Sequence, residues 1–316
     1  MIHSLEHVRS RLRLRHLQLL YLLGENGSLR RAAEAMALTQ PAVTKALQEL
    51  EDLLGEKLFQ RTSRGLLPNA LGEAAIRHAR VVFADVDSLH GELAALHAGN
   101  LGKVRIGAMG SLAGNLIPRA IGALQRGHPG LEIFVAIDTS DVLLAALERG
   151  ELDLLVARIP FGWSQEALEF EPFGEERIEI VARREHPAFL AETLSLADLG
   201  RYPWVVQPHP TPLREVFNQI FREAQLPAPH TLVETASTTL TFSMVQQSDM
   251  IALMPRSLLA FYRRIGMLER LPVALAVHLT GYGLIRRRNR HLSIPMQLAG
   301  DALREQFGLL LQLGAE

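Results

Sequence analysis

The chain has no cysteine, few aromatic residues (6%) and a formal net charge of only −1. Without cysteine there are no disulfides, no thiolate metal ligands and no thiol nucleophile, which suits a reducing compartment. No apolar run approaches the ~18 residues of a membrane helix; Leu17–Leu23 is the densest patch and is short. The amino-terminal stretch carries arginines but neither an apolar core nor a cleavage site, so no signal peptide is expected. Catalytic signatures are missing as well. There is no H-E-x-x-H and no G-x-S-x-G, and Gly107–Ser111 lacks the ending of a phosphate-binding loop. The twelve histidines are scattered without ligand spacing. These absences lead us to expect a cytoplasmic protein that is not an enzyme, binds no metal or cofactor, and has no membrane partner.

What is present is more informative. A length of 316 residues suggests two or three domains. The near-zero total charge conceals a basic amino-terminal end, where residues 1–69 hold ten Lys/Arg against seven Asp/Glu. Residues 1–10 read as a loosely held tail, followed by a first helix from Leu12 that stops at Asn26-Gly27. Ser28 then opens a helix with Ala32, Ala33 and Met36 on its inner face. After a tight junction at Ala37-Leu38, Thr39 is the N-cap of another helix and Pro41 sits in its first turn. On that helix Val43, Leu47, Leu50 and Leu54 recur on one face, leaving Gln40, Thr44, Lys45 and Gln48 outward. Two helices with a short junction and a polar outer face describe a helix-turn-helix reader of DNA. Glutamine can bond an adenine edge, lysine a guanine or a phosphate, and Pro41 and Thr44 can touch thymine methyls. Two β-like runs around Arg64-Gly65 form a wing that would carry Arg61 and Arg64 to phosphates or the minor groove. Ser28, Arg31 and Thr39 complete the expected DNA-binding set.

From Asn69 to about Ala98 a long helix is expected. Ala79, Val86 and Leu93 are seven apart, as are Ala75, Val82, Leu89 and Leu96. Such an interval favours a two-helix seam, so the stretch 75–96 predicts a dimer.

Ser28–Ala37, Thr39–Lys45, Leu50-Glu51, Leu54-Gly55, Lys57-Leu58-Phe59 and Arg61 together resemble the DNA-binding end of a LysR-type transcriptional regulator. The remainder is similar to that family in order and length. The resemblance places base and phosphate contacts at Gln40, Pro41, Thr44, Lys45 and Arg61. It implies operator DNA as partner, a homotetramer built from dimers, and RNA polymerase as a further candidate partner. Lys45 stands where the family often has arginine, and it offers a point charge without the guanidinium fork. Asn69 follows Leu67-Pro68, where the family usually has a threonine before the proline, and is expected to take over the capping.

After Gly99–Gly102, strands and helices alternate: Lys103–Ala108, Leu131–Ile137 and Leu152–Ala157 as strands, then Ile178–Ala182, Trp204–Val206, Leu232–Glu234 and Ile251–Met254. Val273–Val277 and Tyr282–Arg286 read as return strands before a closing helix from Pro295. The fold class is thus an α-helical winged helix-turn-helix domain (1–68), a long linker helix (69–98) and a two-subdomain α/β, periplasmic-binding-protein-like effector domain (99–316). Subdomain one would take about 99–160 and 273–316, subdomain two about 161–272, with hinges near Pro160-Phe161-Gly162 and Leu271–Ala276. Ligands in open α/β folds bind past the carboxyl ends of strands. That rule selects Gly110, Ser111, Thr139, Ser140, Arg158, Pro208, His209, Thr211, Thr235 and Ser237. Hydroxyls beside Arg158 suggest a small anionic effector, from sugar or aromatic-acid catabolism or uptake. The competing reading is a solute-binding protein without a DNA role.

Overall fold

The computed structural model describes residues 4–313 apart from 63, 64, 161, 276, 289 and 291; at 61, 65, 278, 280 and 311–313 it describes the backbone alone. Two compact units result: one takes the chain up to Ala94 and the short stretch Glu148–Glu151, the other Ala95–Leu147 and the chain from Leu152 onward.

The first unit contains α1 (Leu5–Arg11), α2 (Leu14–Asn26), α3 (Leu29–Ala35), α4 (Gln40–Leu54), β1 (Phe59–Thr62), β2 (Gly65–Pro68) and most of α5 (Ala70–His97). Residues 5–11 are helical rather than a loose tail. Ser4 caps them by accepting from the His7 N–H, with Glu6 in the first turn and Arg9 and Arg11 in the last, all complementing the helix dipole. The other boundaries follow local rules. Gly27 and Gly55 end α2 and α4 in the left-handed conformation, at φ 60° and 78°. Thr39 accepts from the Ala42 N–H at 3.4 Å, and Pro41 sits in the first turn of α4. Ser28, by contrast, makes no side-chain cap bond. The α3–α4 junction holds Ala37 at φ 52° while the Leu38 N–H reaches back to the Ala33 carbonyl at 2.9 Å. A left-handed alanine costs about 1–2 kcal/mol, which the packing of Ala32, Ala33, Val43 and Leu47 in the shared core must offset. At the start of α5, Asn69 accepts from the Gly72 N–H at 2.9 Å and donates to the Lys57 carbonyl at 2.6 Å. Position 72 requires glycine, because a Cβ there would fall 2.1 Å from the Leu58 oxygen.

The expected seam along α5 divides into two parts. Ile76 and Ala79 are buried in the core of the first unit, with Ala75 packed against it. Val86, Leu89, Leu93 and Leu96 are instead exposed, at 41, 57, 59 and 62%. A seven-residue spacing over the first turns therefore serves the domain's own core, and the unpartnered apolar stripe begins later than residue 75.

The second unit runs through β3 (Gly102–Met109), α6 (Leu116–Gly127), β4 (Leu131–Asp138), α7 (Ser140–Glu148), β5 (Leu154–Ala157), β6 (Leu168–Arg183), α8 (Leu196–Leu199), β7 (Trp204–Val206), α9 (Pro212–Glu223), β8 (Leu232–Glu234), α10 (Thr238–Gln247), β9 (Ile251–Pro255), α11 (Arg256–Arg264), β10 (Leu268–Arg270), β11 (His278–Arg287) and α12 (Ile294–Leu313). Strand order is β4-β3-β5-β11-β6-β9-β7-β8, with β10 paired to β6. Three buried clusters of the described residues flank this path, one of them containing Val181, Val205, Met254 and Leu258. Leu168, Phe173 and Leu284 belong to another with the first three βα elements, and Ile178, Trp204, Phe217 and Ile251 to the remaining one.

The passage between subdomains lies within β6, not at 160–162, of which Phe161 is outside the described residues. Up to Arg177, β6 pairs antiparallel with β11; from Ile178 to Val181 it pairs with β9. Leading into β11, residues 271–275 and 277 are irregular where Val273–Val277 was expected as a strand and Leu271–Ala276 as a hinge; Ala276 lies outside the described residues. No helix among the described residues is long and apolar enough to cross a membrane.

His186 closes the far end of β6. Its Nδ1 accepts from the Ala188 N–H at 3.1 Å and its Nε2 lies 3.1 Å from the Asp249 carbonyl. Burial lowers its pKa below the ordinary value of about 6.5. The neutral ring therefore contributes stability that is full above about pH 6.5 and is lost as pH falls below it. Thermal unfolding at a series of pH values from about 7 to 5 should show a steeper decline for wild type than for His186→Gln. Parallel curves would contradict this role.

Candidate nucleic-acid interface and ligand cavity

Helix α4 is amphipathic in the required sense. Val43, Leu47 and Leu50 are buried, while Gln40, Pro41, Lys45 and Gln48 are exposed. Thr44 is half-buried and its hydroxyl donates to the Gln40 carbonyl at 2.9 Å, so that hydrogen is committed to the helix itself. Lys45 Nζ stands 4.0 Å from Glu49, an exposed pairing that leaves the ammonium accessible. Arg31 is exposed at the start of α3, and Ser28 is half-buried before it. The wing is a two-stranded hairpin pairing Phe59 with Pro68 and Thr62 with Gly65. The Arg61 side chain and Arg64 lie outside the described residues.

Sequence reasoning gave no role to Glu51, although it falls one helical turn after Leu47 on the apolar face of α4. Its buried carboxylate accepts from the Leu58 and Phe59 N–H groups at 2.9 and 3.3 Å and from Lys57 Nζ at 2.8 Å. The hydrogen bond raises the lysine pKa. One side chain thereby fixes the end of α4 to the first strand of the wing.

In the second unit a cavity of about 650 Å³ lies between the subdomains, within the range of small-molecule sites. Seven of the ten sequence-selected positions line it: Gly110, Ser111, Thr139, Ser140, Arg158, Thr211 and Ser237. Three do not. Pro208 and His209 turn away, His209 lying 3.3 Å from Glu215 at an exposed position, and Thr235 accepts from the Ser237 N–H at 3.1 Å. Their neighbours Gln207, Pro210 and Ala236 form the wall instead. The walls further include Asp138, Asp141, Thr238, Thr239 and Thr241, and an apolar side from Val205, Leu213, Phe217 and Tyr262. Burial raises the Tyr262 pKa, so its phenol stays protonated.

Arg158 requires a correction. It was expected to offer its charge to an anion, but Nη2 donates to Glu176, and both residues are buried at 5 and 4% exposure. Nη1 lies 2.9 Å from Met109 Sδ, and the guanidinium sits 5.7 Å from the centre of the Tyr282 ring. Glu176 also accepts from the Ser257 hydroxyl at the start of α11. A buried charge in low dielectric is held by such partners and is costly to separate from them. Among the described residues, no group of three or more His, Asp or Glu side chains is placed to hold a metal ion.

Residues 97–308 match the model of the LysR substrate binding domain, and residues 14–73 that of the bacterial regulatory helix-turn-helix protein, lysR family. The chain is 35% identical over 298 residues to the HTH-type transcriptional regulator GbpR of Azospirillum brasilense, spanning 94% of this chain and 87% of that protein. It is 32% identical over 308 residues to the HTH-type transcriptional regulator PcaQ of Agrobacterium fabrum, spanning 96% and 97%. Among solved structures, ArgP from Mycobacterium tuberculosis superposes with a TM-score of 0.69 at 19% identity, covering 94% of this chain and 98% of that one. Full-length CbnR complexed with its target DNA gives 0.61 at 20% identity, covering 93% and 100%. At these identities the structures speak for the fold alone.

Removing the Glu51 carboxylate leaves two buried N–H groups without an acceptor, so Glu51→Ala should cost about 2–3 kcal/mol in urea unfolding of the amino-terminal unit. A loss within error of zero would mean that Glu51 does not hold the wing.

Proposed function

The chain belongs to the LysR family of transcriptional regulators, and from that premise we propose how it reads DNA and what controls the reading. The observation that carries the proposal is the exposed face of α4, where Gln40, Lys45 and Gln48 stand opposite buried Val43, Leu47 and Leu50. That face enters the major groove, with the glutamines bonding adenine edges, Lys45 a guanine or phosphate, and Pro41 and Thr44 packing on thymine methyls. Thr39, Ser28 and Arg31, near the starts of α4 and α3, contact the backbone. Arg61 and Arg64 are assigned to phosphates or the minor groove from their place in the wing sequence.

One protomer offers little charge to DNA, so affinity must come from a symmetric pair. The exposed stripe Val86, Leu89, Leu93 and Leu96 on α5 supplies the seam, and two such pairs form a tetramer on a divided operator. The cavity of the second unit holds the effector, and the regulator works in the cytoplasm.

Gln40→Ala should weaken specific operator binding by about 1–3 kcal/mol in a mobility-shift titration and relax the preference at one base pair. Unchanged affinity and preference would remove Gln40 from the base contacts. Leu89→Glu places a charge in the seam, and sedimentation should then show the pair dissociating at concentrations where wild type stays associated. An intact pair would disprove the α5 seam.

A further inference from the structure

The cavity's charges and hydroxyls specify a ligand more narrowly than its size does. Among the described residues lining it, Arg158 alone is cationic, and its guanidinium is already engaged by Glu176. Drawing it toward a ligand would leave Glu176 buried with the Ser257 hydroxyl in place of its counter-ion. Two further carboxylates, Asp138 and Asp141, belong to the same wall. A carboxylate or phosphate ligand would therefore enter beside two aspartates without a free cation to meet it, an arrangement that discriminates against anions. A cationic ligand is also poorly served. Asp138 precedes α7 and accepts from the Thr139 N–H at 2.7 Å, and Asp141 lies in its first turn, so the helix dipole offsets part, though not all, of both charges.

What the wall offers in number is hydroxyls. Ser111 Oγ is buried without a hydrogen-bond partner, and Thr238 and Thr239 of α10 stand on the opposite subdomain. Carboxylate acceptors together with hydroxyls match a ligand whose own groups both donate and accept, which is what vicinal hydroxyls do. Phe217, Tyr262 and Leu213 provide a surface for its C–H face. We infer that the effector is an uncharged polyhydroxylated molecule of the monosaccharide class, with Asp138 and Asp141 as hydroxyl acceptors. This rests on the cavity being the effector site.

The test is a thermal-shift and calorimetric comparison on the full-length protein. The probes are neutral aldopentoses and aldohexoses, the aldonate or uronate derived from each, and L-arginine and L-lysine. At least one neutral sugar should raise the unfolding midpoint and bind about tenfold or more tighter than its acid, the scale of an unrelieved like-charge contact. Asp141→Asn should narrow that gap by weakening the sugar and relieving the acid. Thr239→Trp fills the cavity from an exposed position and should abolish the shift while keeping the ligand-free midpoint. If acids or basic amino acids bind in preference, and Thr239→Trp abolishes it, the ligand class is wrong and the site stands. Binding that Thr239→Trp leaves intact would refute the site itself. The absence of any shift from the neutral sugars would overturn the class.

Discussion

Strand β6 is sixteen residues long, and its two halves lie in different hydrophobic cores. It is hydrogen-bonded along its first half to β11, the strand by which the chain comes back. Both crossings between subdomains therefore travel together as one antiparallel ladder. Any change in the angle between subdomains must be absorbed where that ladder is weakest, and the register shifts between Leu279 and Gly283 mark the place. The buried Glu176 lies opposite Leu279 in the same register, with Arg158 from the end of β5 on one side and Ser257 of α11 on the other. An ion pair so placed adds little net stability compared with an apolar contact, yet losing one partner costs about 3–5 kcal/mol. Its consequence is directional: it holds the carboxyl end of β5, the crossing strand and α11 in one arrangement behind the cavity.

The amino-terminal unit solves a related problem with similar means. A recognition helix is useful only if the wing beside it is held at a fixed offset, and the connection from Gly55 to Phe59 is too short for a core of its own. Glu51 supplies the missing acceptors from within the helix, and Asn69 fixes the other end of the hairpin to the same Lys57–Leu58 backbone. Buried polar groups that are fully satisfied specify one geometry where apolar contacts would tolerate several. Here the specified geometry is the relation of α4 to the hairpin.

These particulars explain what was legible in the sequence. Helix starts and stops obey rules confined to a few residues, so Gly27 marked the end of α2, Thr39 and Pro41 the start of α4, and Asn69 the start of α5. Strand carboxyl ends follow from alternation of elements, and that rule alone brought seven of ten proposed residues to one cavity. Several of the failures share a cause: they depended on a partner distant in the chain. Glu169, Glu171, Glu175 and Glu176 make the first half of β6 look like a loop until Arg286, Arg304 and Arg158 are seen opposite Glu169, Glu171 and Glu176. Arg158 looked like an open cation for the same reason. The heptad of α5 misled because a seven-residue interval over a few turns fits a domain core as well as a seam, and only exposure separates Ala79 from Leu93.

The close approach of Gly110 to α10 bears on how a ligand can act. A Cβ at Gly110 would fall 2.6 Å from the Thr238 hydroxyl, so the two subdomains already touch at that edge of the cavity. A ligand bound there does not close a wide cleft. It adds hydrogen bonds on both sides of a contact that exists without it, and it shifts the subdomain angle only by as much as it prefers one setting over the other. The ladder of β6 and β11 and the Arg158–Glu176–Ser257 contacts resist large displacements, so the settings in competition differ by small rotations. A symmetric regulator can exploit such rotations because each is repeated in every protomer, and DNA bending responds to the spacing of readers rather than to any one of them.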